Sequence, residues 1–277
     1  MKIDAHQHFW KYNPARDGWI DESMKDIRKD FLPKDLKPIL DANNVDGCIA
    51  VQADQSEEET SFLLQCAQNN PFIKGVVGWV DLRADNVEER LAYFSKDTNF
   101  KGVRHIVQAE SDPEFMLKPN FLNGIQKLVP LGLTYDILIH QNQLKQAIAL
   151  VDKFPDQKFI LDHIAKPNIS KGVDTEWGNN IKALAAYQNV SCKVSGLITE
   201  TENNQWEESV FTPFLDTVVN AFGTNRLLFG SDWPVCLLAG NYQEVLNIIM
   251  NYFNGFTEED KKMLMGGNAT RVYNINI

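Results

Sequence analysis

The chain has 277 residues, 44% of them hydrophobic and 23% charged, and a formal net charge of −10 at pH 7. No apolar run approaches the roughly 20 residues that a membrane span needs, and no basic run offsets the negative balance, which argues against nucleic acid and leaves a small molecule as the expected partner. The opening MKIDAHQHFW has neither an apolar h-region nor a small-residue cleavage site, so the cytoplasm is the expected location. Cys48, Cys66, Cys192 and Cys236 lack the spacing of a zinc ribbon or a disulfide scaffold and are expected to be reduced, mostly buried thiols.

Short apolar, β-branched segments recur in chain order at 3–8, 46–53, 74–81, 100–106, 133–139, 158–163, 190–195 and 226–231. Stretches with helical periodicity lie between them, among them Glu57–Gln68, Gln143–Phe154, Glu176–Gln188 and Glu207–Phe222. Thr257, followed three residues later by Asp260, resembles a capping box and is expected to start a last helix. Residues 9–33, with Trp10, Pro14, Trp19, Phe31 and Pro33, break the alternation and are expected to fold over one end of the sheet.

Crossovers between parallel strands are right-handed in nearly every case, so eight consecutive βα units close most naturally into a barrel. No GxGxxG loop follows the first strand, which weakens a doubly wound dinucleotide fold. The expected architecture is α/β: a (β/α)8 TIM barrel, one domain over residues 1–277.

Reactive groups of such a barrel belong at the C-terminal ends of its strands. The first strand ends in His6-Gln7-His8, where alternation puts Asp4, His6 and His8 on one face. Two imidazoles on one face suit a divalent metal, although two ordinary neighbouring histidines give the same pattern. The sixth strand ends in Asp162-His163 and the eighth in Ser231-Asp232, adding a third imidazole and a carboxylate at the same mouth. Asp232 is the candidate base for activating water, with a turn residue before Trp233-Pro234 as the competing reading. His163 is a candidate ligand and catalytic group, with a core histidine as its competitor.

Arg104 and His105 end the fourth strand and face opposite sides unless a bulge intervenes, so either one could reach a carbonyl in the mouth, or both could serve a rim salt bridge. His140 is a further candidate ligand after the fifth strand. Trp10, Trp79 and Trp233 are candidate stacking contacts for a ring substrate, with packing as the simpler reading, and Lys166 is a candidate polar contact.

IDAHQHFW, DFLPKDLKPIL, KGVRHIVQ, LDHIAKP, CKVSGL, LFGSDWPVC and GGNATRVYN together resemble the amidohydrolase superfamily, in its amidohydrolase-2 subgroup. The likeness spans the whole chain. It implies a hydrolase opening a lactone, such as that of a sugar acid or of pyrone dicarboxylate, with His6, His8, His163 and Asp232 at the mouth and Asp232 activating water. It also implies one divalent metal, zinc, or none, the second case leaving arginines and histidines to polarise the carbonyl. At the place where two-metal members carry a bridging lysine or glutamate, the fourth strand has neither. A metal-dependent decarboxylase of an unsaturated or aromatic acid is the alternative enzyme, and a binding barrel without catalysis is the alternative of another class. Oligomeric state is left open.

Overall fold

The computed structural model describes residues 1–275. Eight parallel strands, β1 (Ile3–Gln7), β2 (Gly47–Val51), β3 (Ile73–Gly78), β4 (Phe100–Ile106), β5 (Thr134–Leu138), β6 (Phe159–Leu161), β7 (Val190–Val194) and β8 (Leu227–Phe229), pair in sequence order. The sheet returns to β1 just beyond β8, where Asp232 donates its backbone N–H to His6 O at 2.8 Å and His8 donates to Trp233 O at 2.7 Å. The expected (β/α)8 barrel is thus the observed one.

Among the described residues ten α-helices accompany the strands: α1 (Pro33–Ala42), α2 (Glu57–Asn69), α3 (Val87–Phe94), α4 (Pro119–Gln126), α5 (Leu144–Lys153), α6 (Thr175–Ala185), α7 (Thr212–Phe222), α8 (Tyr242–Tyr252), α9 (Glu258–Lys262) and α10 (Asn268–Val272). The strands are apolar on both faces because both are covered. Ile3, Ala5, Ile49, Val51, Val77, Ile160 and Leu228 fill the barrel interior, whereas Cys48, Ala50, Val76 and Val103 join the layer beneath the helices. α5 shows the matching pattern, burying Leu144, Ala147, Leu150 and Val151 at helical spacing. All four cysteines are free and buried. Among the described residues no helix is long and apolar enough to cross a membrane.

Departures from the expected strands concentrate at the mouth. β6 stops at Leu161 and β8 at Phe229 because the following backbone turns left-handed, at His163–Lys166 and at Asp232. β1 carries a bulge: three steps from Asp4 to Gln7 face two from Cys48 to Ala50. The bulge corrects one expectation, that Asp4 shares a face with His6 and His8. Its carboxylate instead takes hydrogen bonds from the Ser231 N–H at 2.9 Å, the Ser231 hydroxyl at 2.5 Å and the His6 N–H at 3.1 Å, tying β1 to the end of β8.

The other end of the barrel is closed by the C-terminal segment. The turn at Met263–Gly267 passes so close to β1 that a Cβ on Gly266 would lie 2.3 Å from Met1 O. Beyond α10, Tyr273 and Ile275 pack into the interior cluster with Ile3 and Ala5. α9 begins at the capping box read from sequence, with Asp260 N–H donating to Thr257 Oγ1 at 3.1 Å and Thr257 N–H to Asp260 Oδ2 at 3.3 Å. Thr257→Ala is expected to lower the unfolding free energy by about 1 kcal/mol, measured by urea denaturation; an unchanged midpoint would show that the cap contributes nothing.

Candidate active site

The ends of β1, β6 and β8 bring His8, His6 and His163 around Asp232, their Nε2 atoms lying 3.2, 3.7 and 4.0 Å from Asp232 Oδ1. All four side chains are buried. His163, Ile164, Ala165 and Lys166 have φ of 52, 48, 64 and 47°, and Asp232 has φ of 58°. Such values are unfavourable for residues with a Cβ, and they persist only where the surroundings hold them. Gly196 is part of that hold: at φ of 65°, its missing Cβ would sit 2.5 Å from His163 Nδ1.

Hydrogen-bond polarity decides what the cluster can do. His8 Nδ1 lies 2.8 Å from Val51 O, which can only accept, so Nδ1 carries a proton. In the neutral ring, Nε2 is then a bare lone pair facing a carboxylate oxygen at 3.2 Å, an arrangement that calls for a cation between them. His6 repeats the pattern: Asp162 Oδ1 lies 3.4 Å from Nδ1, while Arg104, a donor, lies 3.3 Å from Nε2. Around a tetrahedral ion with bonds of about 2.0–2.1 Å, neighbouring donors stand roughly 3.4 Å apart. His8 and His6 Nε2, at 3.2 and 3.7 Å from Asp232 Oδ1, stand near that spacing, the ligand atoms of His6, His8 and Asp232 all lie within 4.8 Å of one another, and His163 Nε2 at 4.0 Å stands slightly outside it.

A layer of buried charge supports these groups. Asp162 accepts from Arg104 Nη1 at 3.0 Å through Oδ2, and its Oδ1 lies 3.0 Å from Lys193 Nζ. Lys193 also pairs with Asp136 at 2.5 Å, and the Tyr273 hydroxyl donates to Asp136 at 2.7 Å. Gln52 completes the Arg104 setting by accepting from Nε at 2.8 Å and, through its carbonyl, from Nη2.

A family model described as amidohydrolase matches residues 3–275. The chain belongs to the amidohydrolase family. It is 37% identical to an L-fucono-1,5-lactonase of Burkholderia multivorans over 99% of this chain and 96% of that protein. It is 34% identical to an L-fucono-1,5-lactonase of Burkholderia ambifaria, over 100% and 96% respectively. Among solved structures, an amidohydrolase from Burkholderia multivorans with bound zinc superposes with a TM-score of 0.96 at 37% identity, covering 100% of both chains.

In this amidohydrolase the mouth is a cavity of about 270 Å³ lined by Trp19, Gln55, Arg104, Gln108, Lys166 and Asp232, with Ala53, Ile106, Leu138 and Val235 as an apolar wall. Its size suits a molecule smaller than the drug-sized ligands that fill sites of roughly 300–1,000 Å³. β4 stays regular, so Arg104 points into the mouth and His105 away from it. His105 accepts from the Trp79 indole at 3.3 Å, contacts Glu110 at 2.7 Å and stacks on Phe115, which corrects its proposed place among the groups facing substrate.

The three tryptophans singled out as stacking contacts are also placed elsewhere. Trp10 and Trp233 are buried against Phe31, and Trp79 serves His105. The aromatic ring on the cavity is Trp19, 41% exposed, from the expected covering segment 9–33. Lys166 lines the cavity as expected and lies 3.7 Å from Glu200. His140 opens onto a neighbouring polar recess with Asn168 and Glu200, outside the imidazole cluster. Sequence reading passed over Lys193 and Asp136, although a charged residue within a buried apolar strand is itself a signal.

Burial pushes His6 well below the ordinary imidazole value, against the pull of Asp162, and burial likewise takes His163 down to about 4. Burial works against ionisation of Asp232, but the surrounding imidazoles, His163 first, outweigh it and hold the carboxyl below its usual range. In metal-free protein, ¹H–¹⁵N spectra of the imidazoles are expected to keep His6 and His163 neutral down to about pH 5. Protonation of either ring near pH 6.5 would contradict that electrostatic picture.

Proposed function

We propose that this amidohydrolase opens a sugar-acid lactone of the L-fucono-1,5-lactone type, as a step in sugar-acid breakdown. The observation that carries the reading is the convergence of three imidazole Nε2 atoms on Asp232 at the floor of a small, part-apolar cavity. Whole-chain likeness to two L-fucono-1,5-lactonases supports the substrate class.

His6, His8 and Asp232 would hold one zinc ion, with His163 adjoining it. Bound there, zinc lowers the pKa of water towards about 7 and polarises a carbonyl as a Lewis acid. That contribution complements Asp232, since a carboxylate with a depressed pKa is a weak base towards ordinary water. The imidazoles approach Asp232 through Oδ1, and Oδ2 is the oxygen assigned to take a proton from the attacking water. Addition to the lactone carbonyl forms a new C–O bond and a tetrahedral oxyanion beside the Arg104 charge. Cleavage of the ring C–O bond then returns the proton from Asp232 to the departing alkoxide, releasing the hydroxy acid.

Trp19 offers its face to the sugar ring, Gln55 and Lys166 offer donors to hydroxyls, and Ile106, Leu138 and Val235 offer a place for apolar carbon. The test is a pH-indicator assay of purified protein against a panel of sugar-acid lactones, with and without chelator. Proton release that stops on chelation and returns with zinc is expected. Release that survives chelation would overturn the role of zinc, and carbon dioxide release without lactone turnover would favour a decarboxylase.

Two substitutions probe the roles. Asp232→Asn keeps a residue that tolerates the left-handed backbone and is expected to lower kcat by at least about 100-fold without loss of fold; near-normal turnover would remove Asp232 as the base. Trp19→Ala is expected to raise KM by roughly five- to tenfold with kcat within about twofold. A purely kcat effect would place Trp19 outside substrate binding.

A further inference from the structure

Below the imidazole cluster, Lys193 is wholly buried and projects inward from β7. An ammonium has three protons and no lone pair, so its hydrogen-bond partners must be acceptors. Lys193 Nζ has two carboxylate acceptors, Asp136 Oδ2 at 2.5 Å and Asp162 Oδ1 at 3.0 Å, and lies 3.2 Å from His6 Nδ1, the nitrogen whose proton faces Asp162. Asp136 is held in turn by the Tyr273 hydroxyl at 2.7 Å, from the C-terminal segment that closes the far end of the barrel. A continuous polar string therefore runs from the floor of the barrel to the ring that faces Asp232.

We propose that Lys193, locked between Asp136 and Asp162 and tied through Asp136 to Tyr273, is the positioning residue that fixes Asp162 against His6. Asp162 must hold one orientation for His6 to present a bare Nε2 to the mouth. Arg104 holds one of its oxygens, and Lys193 stands beside the other at the point where it approaches His6 Nδ1. Partners of this kind, which orient a metal-binding histidine without touching the ion, commonly change metal affinity by 10–100-fold when removed. The string makes Tyr273, far from the mouth in sequence, a contributor to the geometry of the site.

The inference rests on the proposed zinc site, so its test reads zinc binding separately from lactone turnover. Removing Lys193 alone would leave two buried carboxylates facing each other and endanger the fold. The paired substitution Lys193→Met with Asp136→Asn removes one charge of each sign, and Tyr273→Phe removes only the hydroxyl. Zinc dissociation constants of the purified variants would be measured against a chromophoric chelator, with no lactone present, beside their thermal midpoints. Steady-state kinetics would follow on the zinc-loaded proteins.

The paired variant is expected to bind zinc at least about tenfold more weakly, and to lose kcat with KM within twofold of the parent. Tyr273→Phe should move both quantities the same way by a smaller factor, with an unchanged thermal midpoint. A folded paired variant with zinc affinity and kcat within twofold of the parent overturns the inference. If the pair does not fold, Tyr273→Phe carries the test, and an unaltered zinc affinity there overturns it. A parent protein that binds zinc but turns over no lactone, with zinc affinity still lost in the variants, sinks the lactonase reading and supports the positioning role. A parent that takes up no zinc overturns both.

Discussion

The ion cluster around Asp162 is the constraint on which the rest of the site depends. Asp162, Lys193 and Asp136 are wholly buried and Arg104 nearly so, and each charge taken from water costs several kcal/mol unless a partner meets it. Within the throat, three carboxylate side chains (Asp136, Asp162 and Asp232) face two cationic ones (Arg104 and Lys193), so acidic groups outnumber basic ones beside the imidazoles. Burial against ionisation is outweighed at Asp162 by Lys193, His6 and Arg104, which hold it ionised. An interior of this kind has a place for one divalent cation. Arg104 occupies the side of His6 towards β4, with its guanidinium 3.3 Å from Nε2.

Such a cluster needs a scaffold that positions groups from six strands on one axis. The closed barrel does this by turning alternate residues of each strand inward. Regular alternation is not enough at the top, and there the chain departs from it three times: the β1 bulge, the left-handed run at His163–Lys166 and the left-handed Asp232. Each departure carries a group of the imidazole and carboxylate cluster. Strained backbone at these points is stabilised by the packing around it, including the close seat of His163 on Gly196.

Much of this was legible in the residues. Apolar segments separated by amphipathic ones gave the eight units, because both faces of each strand are covered and each helix buries one stripe. The HxH pair, His163 and Asp232 were legible as a mouth because they follow apolar runs at equivalent points of three units. Local deviations were not. No sequence signal marks the extra residue that turns Asp4 from the face of His6, and none marks the left-handed run, since Ile164 and Ala165 are poor residues for that conformation. Trp10, Trp79 and Trp233 look like Trp19 in sequence; only the path of 9–33 decides which ring meets the cavity. Lys193 and Asp136 were readable as charges inside buried strands, but their pairing across the barrel depends on strand register and parity together.

The central claim is that the throat holds a single divalent ion centred on Asp232. Calorimetric titration of zinc into metal-free protein, repeated on Asp232→Asn, tests it most directly. The account predicts one ion per chain for the parent and a much weaker site in the variant. Two ions per chain, or a site of equal strength without the Asp232 carboxylate, would contradict it.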